Sequence, residues 1–179
     1  MKHLLLLPLF LLAAPAAAQD MSAFTTGPVF ETFGPHAPVE ETMERPADAT
    51  YKVAFDVSEP AAEGKINRGI ESAARFINML AANGTDPADI KVAVVIHGKA
   101  SVDLVNEEAW AVRGKEGANP TAAMIREMLD KGVRVILCGQ SAAAFGVTND
   151  QLVPGVEMAL SAMTAHALLQ QQGYTVNPF

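Results

Sequence analysis

Two short runs constrain this chain more than any other feature in it. Lys91 to Ile96 is Lys-Val-Ala-Val-Val-Ile, and Val133 to Leu137 is Val-Arg-Val-Ile-Leu. Both are rich in β-branched residues, which suit an extended backbone. Both are also apolar on successive positions rather than on alternate ones. Successive side chains of a strand point to opposite faces of a sheet, so runs like these need cover on both sides. That is the situation of a strand in a parallel sheet with helices packed on each face.

The segments around the two runs supply the helices. Lys52 to Val57 is a third apolar run, followed by a loop with Pro60 and Gly64. Ile66, Ile70, Ala73, Ile77 and Leu80 then recur at steps of four and three, one face of a helix that closes near Asn83-Gly84. Residues 101 to 112 are predicted helical, with Leu104, Val105 and Ala109 inward. Asn119-Pro120 is a helix start, a capping residue followed by a proline in the first turn. Met124, Ile125, Met128 and Leu129 form that helix's buried stripe, and Lys131-Gly132 closes it. Beyond the strand at 133–137 come a short helix to Phe145, a turn at 149–152, a strand at 156–160, a helix at 162–172 and a last short strand at 174–176. Strands alternating with helices predict one α/β domain over residues 50–179, preceded by an extended arm at 19–49. The arm holds Pro28, Pro35, Pro38 and Pro46 and has no period. Its Phe24, Val29, Phe30 and Phe33 are costly to leave in water, so it is expected to pack on the domain or on a neighbouring subunit.

The first residues fit an export signal. Lys2 and His3 precede an apolar run from Leu4 to Ala14, and Ala16-Ala17-Ala18 offers the small residues of a cleavage site. Cleavage after Ala18 is expected, which places the mature protein in the periplasm or outside the cell. The apolar run is too short for a permanent membrane span. The 179 residues carry a formal charge of −7, with 50% hydrophobic and 18% charged residues. That composition can bury a core, and its sign makes nucleic acid and anionic membrane poor partners.

An exported chain usually spends cysteines in pairs, yet Cys138 stands alone. It is buried and inert, joined to another chain, or kept as a reactive thiol. Its position favours the last. Ligands in open parallel sheets bind beyond the carboxyl ends of the strands, and three such ends are legible. The first offers Asp56, Ser58 and Glu59, the second His97 and Gly98, the third Cys138, Gly139, Gln140 and Ser141. Cys138 lies where a strand turns into a helix, where free N–H groups and the helix dipole stabilise a thiolate. His97 is the candidate proton acceptor or imidazolium partner. Asp56, Ser58, Gly98, Gly139, Gln140 and Ser141 are expected to line the pocket, and His36 and His166 receive no role. One cysteine and scattered histidines do not make metal-ligand spacing, and no phosphate-binding glycine loop is present. No metal or cofactor is expected.

A serine hydrolase is the less favoured chemistry. Gly139-Gln140-Ser141-Ala142-Ala143 resembles a nucleophile elbow with alanine for the last glycine, and Asp150 and His166 follow in the order acid, histidine. The spacings leave little chain for an oxyanion loop and a cap.

Val135-Ile136-Leu137-Cys138-Gly139-Gln140-Ser141-Ala142, with Asn119-Pro120 and Leu129 to Val133 before it, resembles the DsrE/DsrF-like family. The strand end Val94-Val95-Ile96-His97-Gly98, the arm motifs Phe24 to Val29 and Gly34-Pro35, the segment Pro154-Gly155-Val156 and the ending Gly173-Tyr174 are similar too. The resemblance implies a three-layer α/β/α fold around a mostly parallel five-stranded sheet, and homo-oligomers, often trimers or hexamers. It also implies sulfur oxidation or sulfur relay through a cysteine persulfide, with Cys138 as the matching residue and small sulfur species or a sulfur-relay protein as partners. A non-catalytic oligomeric binding module, in which Cys138 merely lines a pocket, is the alternative.

Overall fold

A computed structural model describes residues 20–178. The expected signal segment, residues 1–18 with its cleavage site after Ala18, lies outside the described residues. The elements run β1 (Tyr51–Val57), α1 (Arg68–Ala82), β2 (Ile90–Ile96), α2 (Glu107–Val112), α3 (Pro120–Asp130), β3 (Arg134–Cys138), α4 (Gly139–Phe145), β4 (Glu157–Ala159), α5 (Ala162–Gln171) and β5 (Thr175–Asn177). The strands form one sheet in the order β4-β3-β2-β1-β5. Every pairing is parallel, so the sheet is wholly rather than mostly parallel.

The two-sided burial expected of the apolar runs is observed. Val53, Phe55 and Val57, Val92, Val94 and Ile96, and Val135 and Leu137 face one layer, built by α1, α3 and part of the arm. The alternate residues Ala54, Ala93, Val95 and Ile136 face the other, where Ala165 and Leu169 of α5 cover them. Small side chains on this second face let α5 lie close to the strands. At the far edge Arg134 grips Glu157 with two hydrogen bonds of 2.9 and 2.8 Å and ties β3 to β4.

Two expectations about helices need correction. Ile66 precedes α1 rather than belonging to it, because Asn67 caps the helix by accepting the Ile70 N–H. The predicted helix at 101–112 is two pieces. A 3-10 helix covers Gly98–Leu104, then Val105 leaves it to pair with Leu152. Asn106 restarts the chain as the cap of α2, accepting the Ala109 N–H. An asparagine binds its own neighbouring N–H groups better at a cap than inside a helix, and two glutamates in the next positions favour the positive end of a helix.

The arm docks on its own domain. Asn78 of α1 is fully buried and serves five backbone groups of the arm. Its amide oxygen accepts from the N–H groups of Val29 and Phe30, and its amide nitrogen donates to the carbonyls of Phe30, Phe33 and Gly34. Phe30 and Phe33 stack at 4.9 Å between ring centroids and enter the core, whereas Phe24 is half-buried.

Candidate functional site

Strand register brings the candidate residues to one level. Val57 pairs with Ile96 and Ile96 with Leu137, so the chain leaves β1, β2 and β3 side by side. Side-chain alternation then decides which residues share a face. Ala54, Ala93, Val95 and Ile136 face α5, and Asp56, His97 and Cys138 continue the same alternation to the carboxyl edge. All three meet the first turn of α5. They line a cavity of about 300 Å³ together with Gln140, Ser141, Ser161, Ala162, Met163 and His166.

Cys138 is the last residue of β3 and the cap position of α4. Only 5% of the residue is exposed, and it is a free thiol. Burial pushes the thiol up. The N–H and hydroxyl of Ser141 and the N–H groups of Ala162 and Gln140 are donors near the sulfur; they outweigh burial and hold the group below the ordinary thiol value, although none of them closes a cap hydrogen bond to it. The donors belong to the starts of both α4 and α5, so two helix termini serve one sulfur. Ser141 is itself held, since its hydroxyl oxygen accepts the Gly98 N–H at 3.0 Å.

Asp56 organises the other half of the cavity. Its Oδ1 accepts from His166 Nε2 at 2.7 Å and its Oδ2 from His97 Nε2 at 3.1 Å. Burial raises the Asp56 carboxyl, and the two imidazole hydrogen bonds and charges more than reverse this, so it is held below the usual carboxylate range. With Nε2 directed at the carboxylate, Nδ1 is the ring nitrogen each histidine leaves for another partner. His166 Nδ1 is buried with no hydrogen-bond partner. Among the described residues no three His, Cys, Asp or Glu side chains converge as a metal site.

Several expectations change in detail. His97 lies in the cavity, but its imidazole is bonded to Asp56 rather than to the Cys138 sulfur. Ser58 does not line the cavity; the chain has already left β1, and its carbonyl accepts the Ala100 N–H. Gly98 and Gly139 support the site from behind. Gly98 supplies the N–H that fixes Ser141. A Cβ at Gly139 would lie 2.6 Å from the Ala159 carbonyl oxygen, so only glycine lets α4 start this close to β4. Gln140 and Ser141 line the cavity. The serine-hydrolase arrangement is not assembled. His166 is bonded to Asp56, and Asp150 lies in the turn 149–151, where its carbonyl accepts from Asn106.

Sequence reasoning placed His166 only in the less favoured serine-hydrolase order and missed Ser161, Ala162 and Met163. One signal could have found them. Ser161 and Thr164 form a reciprocal cap, the S-x-x-polar pattern that marks a helix start. A helix start on this face falls at the carboxyl edge of the strands.

The DsrE/DsrF-like family model matches residues 52–178. Among solved structures, the protein of unknown function MTH1491 from Methanobacterium thermoautotrophicum is 19% identical, with a TM-score of 0.52 over 72% of this chain and 99% of that one. The ychN protein from E. coli is also 19% identical, with a TM-score of 0.45 over the same shares of the two chains. The first likeness speaks for the fold alone. No curated protein matches the chain.

Proposed function

The chain belongs to the DsrE/DsrF-like family, and on that footing we propose that it is an exported sulfur-handling protein in which Cys138 accepts a sulfur atom. The observation that carries this reading is the placement of one thiol between the starts of α4 and α5, on a cavity that also holds two histidines. A thiolate is the nucleophile in sulfur chemistry, and hydrogen-bond donors at the sulfur increase its share at neutral pH.

The step balances without an added oxidant or reductant. The Cys138 thiolate attacks the terminal sulfur of a polysulfide or of thiosulfate. A new S–S bond forms at Cys138, and the donor's own S–S bond breaks. The electron pair leaves with the shortened polysulfide or with sulfite. The product is a Cys138 persulfide, which the Ser141, Gln140 and Ala162 donors stabilise as an anion. Asp56 holds His97 and His166 by Nε2, so that an imidazole can carry a proton to or from the departing group. Small sulfur species or a sulfur-relay protein are the partners in this reading, the assembly is a homo-oligomer, and the site of action is the periplasm or the cell exterior.

The test is intact-mass spectrometry of the folded protein after exposure to polysulfide or thiosulfate. The expected result is the gain of one sulfur atom, mapped to Cys138, lost on thiol reduction and absent from Cys138→Ser. No adduct on Cys138 in the native fold rejects the proposal. The bond from His97 to Asp56 instead of to the sulfur favours a second reading, an oligomeric binding module in which Cys138 is a wall residue. Slow alkylation of Cys138 at neutral pH, unchanged in His97→Ala, supports that alternative.

A further inference from the structure

Among the described residues a cavity larger than the one at Cys138 lies elsewhere. A groove of about 890 Å³ runs between the loop at 60–65, the 3-10 helix, α2 and the start of α3, and it shares no lining residue with the Cys138 cavity. Its volume is of the size that holds a small organic ligand. In a chain of net charge −7 and seven lysines, three of those lysines border it: Lys65, Lys99 and Lys115. All three are exposed, and within the described residues none has an ion-pair partner.

The apolar part of the groove is equally specific. Trp110, the chain's one tryptophan, lines it with Phe145, whose side chain is 40% exposed. Lys115 Nζ stands 5.6 Å from the centre of the Trp110 ring, a cation–π distance. The indole Nε1 is buried and has no hydrogen-bond partner. A buried donor without an acceptor is costly.

Acidic groups limit what can bind. The Asp103 carboxylate is turned into the wall, where it accepts from the Ala61 N–H and the Asn67 amide, both at 2.7 Å. Glu63 and Glu116 border the groove and are exposed. The three lysines and three carboxylates of the lining balance in number, so the groove suits one anionic group seated at the lysines and not a polyanion.

We propose that this groove is a second ligand site, for a small ring-bearing molecule with a single oxyanion group such as a carboxylate or sulfonate. The ring packs on Trp110 and Phe145, and the oxyanion sits between the lysines. The site does not depend on the chemistry of Cys138.

Trp110 makes the test direct. The full chain is titrated with 8-anilinonaphthalene-1-sulfonate while Trp110 emission is followed, and in parallel with the uncharged N-phenyl-1-naphthylamine. The expected result is saturable quenching by the sulfonate. The affinity falls about tenfold, or about 1.4 kcal/mol, in the triple variant Lys65→Gln, Lys99→Gln, Lys115→Gln. The equally charged control Lys52→Gln, Lys91→Gln, Lys131→Gln keeps the wild-type affinity, as does Cys138→Ser. The uncharged analogue binds wild type and both triple variants alike. Absence of saturable quenching, or an equal loss in both triple variants, overturns the proposal.

Discussion

His166 Nε2 lies 2.7 Å from Asp56 Oδ1, a hydrogen bond that spans 110 residues of sequence and joins the first strand to the last helix. Asp56 uses its other oxygen on His97, so one carboxylate fixes two imidazoles on the wall that faces Cys138. Its removal is therefore a test of both stability and site geometry.

The stability test has a defined sign. The folded-state pKa of Asp56 is lowered, so its contribution is fully present above the unfolded carboxylate value of 3.8 and is lost as pH falls through the folded value. Asp56→Asn should unfold at lower urea concentration than wild type at pH 6. The gap should close as the pH is taken below about 4. Urea midpoints measured across that series check it, and a gap independent of pH contradicts the role given to Asp56.

The thiol should titrate early. Because its donors outweigh its burial, the midpoint of Cys138 alkylation by iodoacetamide should fall below the ordinary thiol value of 9.0. Ser141→Ala removes a hydroxyl donor and should move the midpoint upward, with the rate at pH 7 falling severalfold. A midpoint unchanged by Ser141→Ala would show that the hydroxyl does not act on the sulfur.

Gly139 is a steric requirement. Gly139→Ala places a methyl group 2.6 Å from the Ala159 carbonyl oxygen, which is backbone and cannot rotate away. The expected cost is about 2 kcal/mol, read as a fall in Tm, with slower alkylation of Cys138 because α4 and the end of β4 must separate. An unchanged Tm would mean that β4 yields without strain.

Asn78 holds the arm. Asn78→Leu keeps the volume but leaves four backbone groups of the arm without a partner, the Phe30 carbonyl alone keeping the Gly27 N–H. The loss should be about 3 kcal/mol or more, and limited proteolysis should cut near Phe30 and Phe33 well before the domain unfolds. Equal protease resistance in the variant would show that the stacked phenylalanines alone retain the arm.

Much of the architecture was legible in local pattern. The apolar runs at 91–96 and 133–137, the stripe Ile70, Ala73, Ile77 and Leu80, and the Asn119-Pro120 start all correspond to elements of the structure. The failures were local competitions. The apolar residues of 101–112 fit a helix period, but Asn106 caps better than it propagates, and Val105 gained a partner in Leu152 that no window of sequence contains.

The site divides along the same line. Sequence alone determined which residues end the strands, because a change from apolar period to glycine and polar residues is written in consecutive positions. Asp56, His97, Cys138 and Ser141 were found in that way. The pairing of those residues was decided only by tertiary structure. His97 turns to Asp56 and not to the sulfur, Ser58 falls outside, and His166 enters from a helix far along the chain. The physical reason is that strand register and helix placement are fixed by burying the whole sheet, a sum over residues remote in sequence. A hydrogen bond at 2.7 Å depends on that sum to within a fraction of an ångström.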